Sequence, residues 1–185
     1  MKIFDLICDL DRFASFLFAD EHESAKWGKG WFDGAPRGNS YPIPRAVRNR
    51  EGDGPRSEVL PDFTQIGLRP IPTFSAHAIH CIGGMLAENG ELASIRMDEG
   101  FEYFAFNATN VVDVLDESNS ELSLFRDGRV MSVDRHVFLM PASRLPIIFK
   151  IPQTRENTTY VTEDFVSLVG GNGLTGFEFK IVFEA

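Results

Sequence analysis

The sequence is poor in several kinds of residue, and each shortage removes a class of protein. Only two cysteines, Cys8 and Cys81, occur in 185 residues. A disulfide-stapled secreted domain needs a denser set, so a core held by burial is expected. No apolar run approaches the roughly 20 residues of a membrane-spanning helix. Asp5 and Asp9 interrupt the first ten residues, where a secretory leader requires an unbroken apolar stretch. The cytoplasm is therefore the expected location. Positive charge is also short: 18 Lys and Arg face 27 Asp and Glu, a net charge of −9. Binders of nucleic acid or anionic lipid need a basic face, so neither is expected as a partner. An acidic surface suits a basic protein partner, and it also keeps a chain soluble.

Signatures of catalysis are missing too. There is no Gly-x-Ser-x-Gly elbow, no phosphate-cradling loop ending in Lys-Ser/Thr, and no dinucleotide fingerprint. Gly170-Gly171-Asn172-Gly173 is glycine-rich but follows a predicted helix, where glycine serves to end the helix. His77, His80 and Cys81 share one predicted helix, and a His pair at i, i+3 is able to touch one metal ion. A zinc site needs further ligands, and none follows at a matching spacing, so an ordinary helix face is the plainer reading. His22 and His136 stand alone. No catalytic set, metal or cofactor is expected, and the chain is read as a binding protein and not an enzyme.

Hydrophobic residues make up 43% of the chain, enough for a core in a single domain. Seventeen are phenylalanine, against two Trp and three Tyr. Phe has no polar handle, so most belong in the core, with a binding patch as the other destination. The expected fold is α+β, a mainly antiparallel sheet with two or more helices packed on it. Residues 2–8 read as a strand, and Arg12 to Phe18 as a helical turn or second strand. Ser75 caps the clearest helix, with Ile79, Ile82, Met85 and Leu86 on one stripe and Asn89-Gly90 as its stop. Gly83-Gly84 inside it costs about 1 kcal/mol per glycine and suggests close approach of another element. Phe101 to Phe106, Leu122 to Phe125, Arg129 to Val133, Val137 to Met140, Ile147 to Ile151 and Phe177 to Phe183 read as strands or apolar runs. Arg126-Asp127-Gly128 marks a hairpin turn. Thr162 is expected to cap a second helix, Glu163 to Val169.

Two charged regions stand apart. From Trp27 to Pro61 Gly, Pro, Asn and Arg crowd together, as in Asp33-Gly34-Ala35-Pro36 and Glu51-Gly52-Asp53-Gly54-Pro55, which predicts a long loop, mobile or functional. Across residues 26–58, Lys26, Lys29, Arg37, Arg45, Arg48, Arg50 and Arg56 outnumber Asp33, Glu51, Asp53 and Glu58. The segment is either a basic arm or a loop lying over an acidic body, and the dispersal of its charges favours the second. Residues 98–121 are the opposite: Asp98, Glu99, Glu102, Asp113, Asp116, Glu117 and Glu121 with no Lys or Arg. Seven acids without local partners repel one another. They form either an acidic binding face or scattered exposed loops.

The same window carries a motif, Asn107-Ala108-Thr109-Asn110-Val111-Val112-Asp113-Val114-Leu115-Asp116, with Ser120 a little later. It resembles the central motif of a bacterial polymorphic-toxin immunity family, numbered eleven among the immunity classes and earlier catalogued as a domain of unknown function. Phe149-Lys150-Ile151-Pro152, Tyr160-Val161-Thr162 and Gly173-Leu174-Thr175-Gly176-Phe177-Glu178-Phe179 follow in the family's order. The resemblance covers about residues 61–185, read as the immunity-type α+β domain. Residues 1–60, a strand region and the long loop, belong to the same domain. The motif residues Asn110, Asp113, Asp116, Gly173, Thr175, Gly176 and Phe177 look structural. Asn110 to Asp113 is expected to begin a helical turn with Val112 and Leu115 inward and Asp113 and Asp116 outward. The resemblance implies a protein that binds and blocks a cognate toxin domain, commonly a nuclease. The acidic window would then cover or imitate what meets the nuclease's basic face. Two other readings stay open: a structural or adaptor subunit whose loop at 27–61 orders on binding, and a small metal-dependent hydrolase using His77 and His80.

Overall fold

A computed structural model describes residues 1–28, 30–50, 57–67, 69–139 and 144–184. Lys29, Glu51, Asp53, Arg56 and Met140, named above, lie outside the described residues, as does the Glu51-Gly52-Asp53-Gly54-Pro55 turn. The fold is α+β, with strands mostly antiparallel and, among the described residues, three helices and three sheets.

Local signals place the elements that the sequence made plain. Strand β1 spans Lys2–Cys8 and β2 spans Phe16–Phe18, after which Asp20 caps a short helix, α1, Glu21–Lys26. Ser75 caps helix α2, Ala76–Asn89, its Oγ accepting from the Ala78 N–H at 3.1 Å. Ala78, Ile82 and Leu86 form the buried stripe, with Ile79 and Met85 on its flank. The hairpin of β8, Glu121–Leu124, and β9, Val130–Arg135, turns on Gly128 at φ +83°. Helix α3 covers Glu163–Gly171, and Gly173 at φ +63° turns the chain toward β12, Phe177–Glu184.

The remaining strands depend on distant partners: β3 Arg45–Arg48, β4 Phe63–Ile66, β5 Ile71–Ser75, β6 Gly90–Met97, β7 Glu102–Ala108, β10 Ile148–Phe149 and β11 Tyr160–Thr162. One sheet runs β10-β11-β1-β12, all antiparallel, with β1 as an interior strand. The larger sheet runs β2-β3-β6-β7-β5-β4, and β3 beside β6 is its parallel pair. A cluster containing Phe4, Leu6, Phe63, Phe74, Phe106 and Phe165 is shared by the two sheets, α2 and α3. A second cluster gathers Phe16, Trp27, Phe32 and Ala46 of the N-terminal segment with Ile71, Ile95, Tyr103 and Ala105. A third lies under the hairpin, around Leu115, Phe138, Phe149 and Tyr160.

Several expectations are corrected. The predicted loop at 27–61 holds strand β3 and buries Trp27, Phe32 and Ala46, because pairing with β6 satisfies a backbone that no local pattern announces. Nothing approaches α2 at its glycines: a Cβ at Gly84 would meet no atom within 4 Å, and one at Gly83 would meet only Ile79 of its own helix. The close approach occurs at Gly90, where a Cβ would collide with the Asn107 carbonyl oxygen and the Phe106 ring. Asn110 to Asp113 is extended and not helical, since Val111 bridges Lys150 in a parallel contact. Leu115 still points inward and Asp113 outward, while Asp116 is half-buried. Val137 to Leu139 makes a single bridge, Phe138 to Leu115, and is no strand. Thr162 holds the cap position of α3 without a side-chain cap bond, its Oγ1 buried with no hydrogen-bond partner among the described residues.

Candidate functional site

The acidic window is divided by the strand that runs through it. Strand β7 is seven residues long, so roughly 20 Å separates its ends. Asp98 and Glu99, in the β6–β7 turn, and Glu102, the first residue of β7, stand at one end. Asp113, Asp116, Glu117 and Glu121 lie beyond the other, leading into the hairpin.

At the first end the acids are matched, which corrects the expectation that they lack partners. Arg45 grips Asp98 with two nitrogens, the closer at 2.9 Å. Arg48 meets Glu99 at 2.9 Å and also pairs with Glu58, and Arg50 reaches Glu99 at 3.2 Å. The Arg48 side chain is only 8% exposed. Arg45, Arg48 and Arg50 thus tie the N-terminal segment to acids of the sheet, as the dispersal of its charges suggested, while Arg37 pairs with Asp33 and Lys26 with Glu23 close by in sequence. Glu102 is exposed and makes no ion pair among the described residues.

At the second end three of the four acids have neutral partners. Asp116 is the core of a turn: Oδ1 accepts from the N–H groups of Ser118 and Asn119, each at 3.1 Å, and Oδ2 from the Asn119 amide at 2.7 Å. Glu117 accepts from the Gln153 amide at 2.7 Å, and Asp113 from the same nitrogen at 3.5 Å. No cation pairs with these three among the described residues. Glu121 has an exposed partner, Arg135, at 2.7 Å. The hairpin that follows them shows apolar surface, with Arg129 lying over the Phe125 ring at 5.4 Å. Leu124 is 55%, Phe125 43% and Met131 46% exposed. Phe125 is the one phenylalanine of 17 that the fold leaves exposed.

Several motif residues make contacts that hold the fold, and one of these contacts was unforeseen. Asn107 is fully buried; its oxygen accepts from the Gly34 N–H and its amide donates to the Ala35 carbonyl and the Tyr41 hydroxyl, each at 2.9 Å. Glu91 adds contacts from the Arg37 and Gly38 N–H groups and the Tyr41 hydroxyl. Together they fix residues 34–41, the segment that lay outside the resemblance. Asn110 ties the end of α2 to β10 through the Asn89 oxygen at 2.8 Å and the Ile148 carbonyl. Lys150 is buried at 2% exposure, its Nζ donating to the Arg155 carbonyl at 2.9 Å, and burial pushes it down to about 8 against the pull of Asp33.

A second cluster centres on Asp62, which the sequence did not single out. Its Oδ2 accepts from the Thr175 N–H at 2.9 Å and hydroxyl at 3.0 Å, and its Oδ1 from the Ser75 hydroxyl and His77 Nδ1, both at 2.9 Å. Burial acts to raise this carboxyl, but the bonds from Thr175, His77 and Ser75 outweigh it and hold it below the usual carboxylate range. Thr175 belongs to the closing motif, so Asp62 joins that motif to the cap of α2. Gly176, at φ +85°, lies where a Cβ would collide with the Phe63 carbonyl oxygen. Phe177 stacks on Phe63 at 4.6 Å. His77 does not share a ligand set with His80, which is exposed; among the described residues no three His, Cys, Asp or Glu side chains group as metal ligands. His22 is exposed on α1. His136 bonds the Tyr160 hydroxyl at 2.9 Å, and burial, aided by Lys180, lowers it to about 4.

A cleft of about 640 Å³ lies between the hairpin turn and residues 152–157, with Arg69, Arg129 and Arg155 on its walls. Arg69 is paired with Glu156 and Arg129 with Asp127. No helix among the described residues is long and apolar enough to cross a membrane. No family model matches this chain, and no curated protein is significantly similar to it.

Proposed function

We propose that this chain is an immunity-type protein of the cytoplasm that binds a basic toxin domain, of the nuclease class, and neutralises it by contact alone. One observation carries the reading beyond the motif resemblance: the hairpin β8–β9 exposes Leu124, Phe125 and Met131, and Asp113, Asp116 and Glu117, which have no cation partner among the described residues, lie in the segment that leads into it. An apolar centre beside uncompensated charge is how protein interfaces combine affinity with steering. A nuclease gathers Lys and Arg where it grips phosphates. Carboxylates set on a rigid turn would meet that face, while Phe125 fills a recess in it. Helices α2 and α3 act as backing for the two sheets, and nothing in the role calls for turnover. The adaptor reading drew on a loop that orders on binding, and its described part is already tied down by Asn107, Glu91 and β3.

Co-expression with the toxin encoded in the neighbouring reading frame is expected to restore growth, with a complex that survives gel filtration. Absence of both rescue and complex would overturn the proposal. Phe125→Ser is expected to weaken the complex at least tenfold, as loss of a buried aromatic anchor does, and to leave the free protein folded.

A further inference from the structure

Helix α2 carries a constellation that toxin binding does not use. Cys81 Sγ lies 3.6 Å from His77 Nε2, one helical turn earlier, and His77 Nδ1 lies 2.9 Å from Asp62 Oδ1. We propose that Cys81 is an activated thiol, primed by His77 and Asp62 to form a mixed disulfide with a small disulfide-bearing molecule. The site stands independently of the immunity reading.

The order of the three groups sets their roles. Asp62 is ionised and accepts at Oδ1, so His77 carries its ring proton on Nδ1. That tautomer leaves the Nε2 lone pair facing the thiol. Although the His77 side chain is 62% exposed, its ring is aimed by a carboxylate that Ser75 and Thr175 hold from the other sides. A nucleophile within reach of a base, with the base oriented by a third group, is the arrangement that activates thiols. Gly84 lies three residues beyond Cys81, hence on the same helix face, and no atom stands within 4 Å of where its side chain would begin. The surface above that glycine is therefore open, and Cys81 itself is half-buried. Cys8, the other free thiol, has no such base, and burial pushes it up.

The reaction balances without another oxidant. His77 Nε2 takes the thiol proton, and the Cys81 sulfur attacks one sulfur of the disulfide. A new S–S bond forms on Cys81 as the old one breaks. The leaving thiolate takes the proton from His77. Cys81 is oxidised and the departing sulfur is reduced.

The full chain carrying Cys8→Ser, leaving a single thiol, is mixed with 5,5′-dithiobis(2-nitrobenzoate), and release of the coloured thiolate is timed across about pH 5.5 to 10, which brackets an ordinary thiol titration. At the acid end Cys81 is expected to react roughly tenfold faster than in the same protein bearing His77→Asn, whose profile should follow that of a free thiol. Asp62→Asn should fall between them. Oxidised glutathione should add once, at Cys81, in a form that dithiothreitol removes. Equal rates in the two proteins at every pH, or reaction only after denaturation, would overturn the proposal. His77 is exposed, so His77→Asn keeps the fold and the comparison decisive.

Discussion

Strand β7 has acids of one sequence window at both ends, and the two ends treat them differently. Asp98 and Glu99 meet Arg45, Arg48 and Arg50, supplied from some fifty residues earlier in the chain. Asp113, Asp116 and Glu117 meet amides and backbone N–H groups, which satisfy lone pairs and leave the charge in place. Charge along a sequence and charge in space are thus separate quantities. The first end ties the N-terminal segment to the sheet. The second keeps its field for whatever approaches the hairpin.

The largest effect expected from this contrast is at Arg48. Its guanidinium pairs with Glu58 and Glu99, lies 5.9 Å from the Phe101 ring centre and is nearly covered. Arg48→Ala removes the cation that Glu58 and Glu99 share, although Arg50 still reaches Glu99, and opens the packing over Phe101. The expected loss is about 2–3 kcal/mol, read from the urea midpoint. A loss below about 0.5 kcal/mol, typical of surface positions, would make this end as free as the other and end the comparison.

Next in size is charge reversal at the hairpin end. Asp113→Lys with Glu117→Lys should shift the unfolding free energy by no more than about 0.5 kcal/mol, because both side chains are exposed and share one neutral partner. Association with a basic partner at low salt should slow roughly tenfold, and the difference should shrink as salt is added. Asp98→Lys with Glu99→Lys should do the reverse, lowering stability first. Asp116 is left out of the pair because its carboxylate builds the turn, so its replacement would mix the two effects.

What was legible in the sequence follows the same division between local and distant causes. The hairpin turn at Arg126-Asp127-Gly128, the Ser75 cap and the end of α3 depend on neighbours a few residues away, and each is where the pattern put it. Strand β3 is four residues behind Pro42 and Pro44 and is held by a parallel partner some fifty residues on. Strand β5 contains Pro72, which argues against a strand until Gln65 and its neighbours pair with it. Alternation in β12 breaks at a bulge near Val182, which leaves Ile181 50% exposed where the pattern placed it inward. The acids at 98–121 could be counted, but the arginines that cancel two of them could be assigned only through β3. Asp62 was invisible for the same reason, since Thr175 lies 113 residues away. Only the i, i+4 spacing of His77 and Cys81 pointed toward that site.

Acid should separate the two ends by a smaller amount. Under the hairpin, burial lowers His136 to about 4 and raises Asp5 to about 6 against the pull of Lys180. The signs oppose. Neutral His136 contributes stability that is present above about pH 6.5 and lost as pH falls toward 4, because the unfolded chain takes the proton first. Asp5 contributes stability at low pH that is lost as pH rises from about 4 to 6. The two contributions offset each other across that window. Asp5→Asn removes one of them. It should raise stability by about 1 kcal/mol at neutral pH and make the loss on acidification steeper in urea titrations. No gain at neutral pH would mean that the ionised Asp5 is satisfied in the fold.

The smallest expected effect tests whether position at an end is enough. Glu102 sits at the arginine end, exposed, opposite Arg96 in the β6–β7 register but without an ion pair. An exposed cross-strand charge of this kind contributes only a few tenths of a kcal/mol, so Glu102→Gln should barely move the urea midpoint. It should also leave association with a basic partner within about twofold, because Arg45, Arg48 and Arg50 stand close by and screen its field from an approaching cation. If Glu102→Gln instead slows association as much as reversal of Asp113 and Glu117 does, the binding field spans both ends of β7. The arginines would then organise the fold without silencing the charge beside them, and the hairpin would be one part of a wider acidic face.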